Sequence, residues 1–70
     1  MNLPLKIALI QAGKRQFELA RQTGIGESTV SRIVNSYRVP TAEEKRKIAQ
    51  ALDCSIQKLW PEEELASVDA

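Results

Sequence analysis

The feature that most constrains this chain is the run from Gln16 to Asn35, where two helical patterns are separated by little more than Ile25-Gly26. Helices joined by so short a connection must cross steeply. A steep crossing needs a small side chain at the closest approach, and Ala20 supplies it. The turn needs a residue that tolerates positive φ, and Gly24 supplies that. The second helix must then lock onto the first, through an apolar face made by Ile25, Val30 and Ile33. Ile25 and Val30 stand at the spacing of a hydrophobic staple, with Gly26 as the N-cap between them.

The remaining segments read as short helices around this pair. A first helix is expected over residues 3–12, with Asn2 as its cap, Pro4 in its first turn and Gly13 as its stop. Leu5, Ala8, Leu9 and Ala12 recur at three- and four-residue steps and predict its buried stripe. Residues 16–23 form the second helix, burying Leu19, Ala20 and Thr23, and residues 27–35 the third, with Val30, Ile33 and Val34 inward. Residues 36–40 are a loop closed by Pro40. Thr41 and Glu44 make a capping box that opens a fourth helix to about Leu52, with Ile48, Ala49 and Leu52 inward. Ser55 caps a last turn through Trp60, and Pro61 ends it. The expectation is all-α: five short helices, one domain over residues 1–60, and an acidic, flexible tail over 61–70.

Composition removes several function classes. With no histidine and the single Cys54, a metal centre lacks its usual ligands and acid–base or triad chemistry its usual base, so neither an enzyme nor a cofactor is expected. No apolar stretch approaches the roughly 18 residues that span a bilayer, and no secretory leader pattern is present, so a cytoplasmic setting without membrane contact is expected. The net charge of +1 conceals an asymmetry. Residues 1–42 carry six basic against two acidic side chains, +4, whereas residues 43–70 carry four against seven, −3. The front half suits a polyanion and the back half repels one.

Two helices crossing at a tight turn have helix-turn-helix geometry, which presents the outer face of the second helix to the DNA major groove. Here that face reads Glu27, Ser28, Thr29, Ser31, Arg32 and Asn35, every one able to donate or accept at a base edge or phosphate. The run QFELARQTGIGESTVSRIVNS resembles the DNA-binding motif of the Cro and phage-repressor helix-turn-helix family. The resemblance extends from Leu5 to about Trp60, with KIAQALDCSIQKLW similar to the family's closing helices. The piece TVSRIVN is also similar to the headpiece of the LacI family, but that family begins directly with its motif and follows it with a hinge.

The Cro-like resemblance implies a compact lambda-repressor-like fold and a transcriptional regulator, a repressor, that binds two-fold double-stranded DNA as a homodimer. It implies base reading by Glu27, Ser28 and Arg32, with Thr29 alongside. Gln16 would contact a phosphate, as would Asn35, Ser36 and Tyr37, with Arg38 and Ser31 beside them. Lys14 and Arg15 divide between phosphate contact and ordinary surface. Arg32 suits guanine, whose two acceptors a guanidinium bridges, and Glu27 suits the cytosine amino group.

The departures from the family pattern are specific. Leu9 and Val34 stand where the family commonly pairs an Arg with a Glu; both members being apolar, no buried charge is stranded. Arg15 replaces a capping Ser or Thr, Lys14 an apolar residue, and Ser36 a frequent Gly. Phe17 stands at a usually polar position and is expected to pack against the first helix, a partner contact being the alternative. Lys45, Arg46 and Lys47 are expected on a solvated face, paired with Glu43 and Glu44. Cys54 reads as a buried thiol, and Leu59, Trp60, Leu65 and Val68 as the candidate dimer surface. No room is seen for a small-molecule ligand domain. The rival expectation is a protein-interaction module on the same fold, such as an antitoxin or anti-repressor subunit, that does not read DNA.

Overall fold

A computed structural model of the chain describes residues 2–61. Leu65, Val68 and the rest of the acidic segment lie outside the described residues. Five helices succeed one another: α1 (Leu3–Gln11), α2 (Gln16–Thr23), α3 (Glu27–Val34), α4 (Ala42–Ala51) and α5 (Ile56–Leu59). No strand occurs among the described residues. Helix α2 packs on α3 and α4, while α5 closes the bundle against α1 and α4. The shared core is built on Leu5, Leu19, Val30, Ile33, Val34, Ile48 and Leu59, all essentially inaccessible to water.

The caps explain where the helices begin. Asn2 Oδ1 accepts from the Leu5 N–H at 3.1 Å, so α1 starts with one orphan donor satisfied. Thr41 Oγ1 accepts from the Glu44 N–H at 3.1 Å, and Glu44 Oε1 accepts from the Thr41 N–H at 2.9 Å, completing the capping box. Ser55 caps α5 through the Lys58 N–H. Helix α2 has only the returning half of such a box, since Arg15 offers no acceptor: Glu18 Oε1 takes the Arg15 N–H at 3.1 Å.

The helix ends share one device. After α1, α3 and α4 the chain passes through a left-handed residue at Gly13, Ser36 and Asp53, with φ of 66°, 63° and 54°. Paired backbone bonds accompany each, for example from the Ser36 N–H to Ile33 O and from the Tyr37 N–H to Arg32 O. This is the Schellman arrangement, which satisfies carbonyls that a helix end leaves open. Helix α2 ends on the simpler form: Gly24, at φ 76°, donates its N–H to Ala20 O. Ser36 thus adopts the conformation that the family's frequent Gly makes easy.

Several expectations change. Ala12 is the C-cap of α1 and is exposed, so the buried stripe stops at Leu9. Thr23 is half-buried, with its hydroxyl donating to Leu19 O at 2.8 Å. Asn35 caps α3 rather than continuing it. Lys45 is buried at 7% exposure rather than solvated, because α4 turns that side toward the bundle. Lys47 does pair with Glu43 at 3.6 Å, but Glu44 turns to Arg38. Cys54 is half-buried, its thiol donating to Leu52 O. Leu59 is wholly buried in the core and offers no surface for a second copy; half-buried Trp60 beside it packs on the same core.

A left-handed position costs an L residue about 1–2 kcal/mol, and a Cβ at Gly24 would meet nothing within 4 Å. Gly24→Ala therefore loses about 1–2 kcal/mol through the backbone alone. Ser36→Gly gains about 0.5–1 kcal/mol, part of its relief being offset by added freedom in the unfolded chain. Urea denaturation of both variants checks the opposite signs.

Candidate nucleic-acid interface

The candidate surface is the outer side of α3 with the segments that flank it. With Val30, Ile33 and Val34 at 0–1% exposure, the helical period leaves Glu27, Ser28 and Arg32 exposed and Thr29 and Ser31 half-buried at the flanks. The position of α3 is held at its entry by the turn: the Ile25 N–H donates to Thr23 Oγ1 at 3.3 Å, and Ile25 packs onto the core. At its exit, Asn2 donates its backbone N–H to Val34 O at 2.8 Å, and its side-chain amide donates to Leu59 O at 2.9 Å. One residue thereby ties the start of α1 to the ends of α3 and α5.

The predicted residues fall into three groups. Glu27, Ser28 and Arg32 point away from the protein, and neither Glu27 nor Arg32 forms an ion pair among the described residues. Gln16 opens α2 half-buried, with exposed Arg15 next to it, and Tyr37 stands 82% exposed beyond α3. The other side chains are occupied within the fold. Asn35 Nδ2 donates to Ser31 O at 2.9 Å, closing the last turn of α3 with the residue four before it. Arg38 Nη2 reaches both carboxylate oxygens of Glu44, at 3.2 and 3.1 Å.

Lys14 has a structural task. Its ammonium donates to Ala51 O at 2.7 Å and to Gln22 Oε1, which joins α2 to the end of α4. A cation at the last carbonyls of a helix is favourable both as a donor and against the helix dipole. Lys14, expected either at a phosphate or on ordinary surface, thus caps α4 in this structure.

Phe17, expected against the first helix or a partner, is largely open to solvent. It is 41% exposed and lines a shallow depression with Arg21, Gly24, Ile25, Gly26 and Glu27. An apolar ring and a guanidinium thus adjoin the first turn of α3. Arg21 stands four residues after Phe17 on one helix, the spacing that puts the two side by side.

A family model for helix-turn-helix proteins matches residues 5–59, and the chain belongs to this family, of the Cro and lambda-repressor type. The five-helix architecture agrees with it, and the protein is a DNA-binding helix-turn-helix regulator in the general sense that the family defines. No curated protein and no solved structure gives a significant match. Among the described residues no helix is long and apolar enough to cross a membrane.

Lys14→Ala should lower stability by about 1 kcal/mol, the usual worth of one such bond at a partly exposed site. Arg15→Ala, whose side chain is exposed and makes no cap bond, should leave stability within about 0.5 kcal/mol of the parent. Thermal or urea unfolding distinguishes the two directly.

Proposed function

We propose that this protein is a Cro-like repressor that reads double-stranded DNA with α3 in the major groove. The observation that carries the reading is the division of α3 into a wholly buried apolar side and an outer side that is entirely polar, on which Arg32 has no ion-pair partner among the described residues. Arg32 supplies a bidentate contact to guanine, and Ser28 and Thr29 accept or donate beside it. Glu27 accepts from a cytosine amino group and, near phosphates, penalises sequences that lack one. Gln16, Arg15, Ser36 and Tyr37 hold the DNA backbone from the two ends of the motif. Asn35 and Ser31 act there through the helix end they stabilise, and Arg38 joins by exchanging Glu44 for a phosphate.

Such a module reads a two-fold operator as a homodimer, with recognition helices about 34 Å apart. One observation favours the interaction-module reading: Leu3, Ile7 and Ile10, at helical spacing on α1, are 44–71% exposed, an apolar stripe that DNA contact does not use.

Selection from a randomised duplex library at near-physiological salt separates these. A recovered two-fold motif is expected; retention without a motif would mean phosphate-driven binding, and no retention by folded protein would leave the interaction module. On the selected duplex, Arg32→Ala should cost about 1–3 kcal/mol and relax preference at one base pair. Arg15→Ala should weaken all sequences alike and reduce the salt slope by about 1.

A further inference from the structure

An open groove of about 600 Å³ lies between the start of α1, the loop after α3 and the end of α5, lined by Leu3, Arg38, Val39, Pro40, Trp60 and Pro61. Its walls are apolar and wet: Leu3 is 56% and Val39 81% exposed. Arg38 is its one charged lining residue among the described residues. Glu44 engages a single guanidinium nitrogen of Arg38, whose side chain stays 41% exposed, so further N–H donors remain. Pro61, the last described residue, is itself in the wall, so the chain continues from inside the groove.

The residues after Pro61 match these walls in order. Glu62, Glu63 and Glu64 carry three carboxylates, opposite in sign to the arginine, and Leu65 and Val68 follow with two apolar groups. At roughly 3.4 Å per extended residue, Leu65 lies within about 14 Å of Pro61 and Val68 within about 24 Å. Pro61 itself lines the groove, so both reaches start at its wall. A short tether also gives an effective concentration near the millimolar range, above that of a second copy in dilute solution.

We propose that residues 62–68 dock in cis into this groove, with Leu65 and Val68 covering Leu3, Val39 and Trp60 and the glutamates facing Arg38. Ser36 also lines the groove, and Ser36 and Arg38 belong to the loop assigned above to the DNA backbone. On that DNA-binding reading, the docked segment and a phosphate compete for one loop, and the segment holds operator affinity down.

Trp60 is the only tryptophan and reports the groove directly. Acrylamide quenching of the full chain is compared with a Leu65→Ser/Val68→Ser variant, which keeps the charge and leaves the described core intact. Quenching should rise about twofold in the variant, and the parent's protection should stay constant over a roughly hundredfold range of protein concentration. Equal quenching of the two chains would overturn the proposal. So would protection that grows with concentration, since it would give the groove to a second copy. On the selected duplex the variant should bind about three- to tenfold tighter; unchanged binding would overturn the competition with DNA. Quenching is read without DNA, so a chain that binds no duplex would sink the DNA-binding reading while the docking test still stands.

Discussion

Three side chains decide which way α3 faces. Val30, Ile33 and Val34 occupy adjoining positions on one side of the helix, and all three are sealed in the core. A helix has one rotation that buries such a set, and that rotation fixes every other residue on it. Glu27, Ser28 and Arg32 are outward because the valines and the isoleucine are inward. The polar outer face is thus a by-product of packing, and the residues on it are spared from stabilising the fold.

Holding α3 in place requires the chain to reverse direction within very few residues, and the four longer helices all do so through a left-handed residue. Two of the four are glycines; Ser36 and Asp53 adopt the same conformation with a side chain attached. The cost is local and is borne where the paired backbone bonds leave the chain little alternative. Asn2 completes the frame from outside the motif, since one short side chain and its backbone N–H meet three helices.

Much of this was legible in the residues. Periodicity located the five helices, the Thr41–Glu44 box located the start of α4, and Gly24 marked the turn because little else tolerates it. The inward set of α3 came from its spacing. What spacing cannot convey is where a neighbouring helix ends. Ala12 fits the stripe of α1 and yet is exposed, because the bundle does not extend that far. Lys45 lies among charges in the sequence and yet is buried. Lys14 looked like an open cation until α4 placed the Ala51 carbonyl within its reach, and Leu59 looked like surface until α1 and α4 closed over it. On the outer face of α3, residue type indicated which side chains are able to touch a nucleic acid. Only the three-dimensional arrangement separates Arg32, with no ion-pair partner among the described residues, from Arg38, which already holds a carboxylate.

The bond from Asn2 to the Leu59 carbonyl joins residues 57 positions apart. A ribosome delivers the first of these partners long before the second. Until Leu59 emerges, α1 lacks its anchor on α5 and the core lacks one of its fully buried side chains. The nascent chain therefore carries a complete α2–α3 pair without the frame that orients it. The frame around the α2–α3 pair is complete only when α5 packs on α1 and α4.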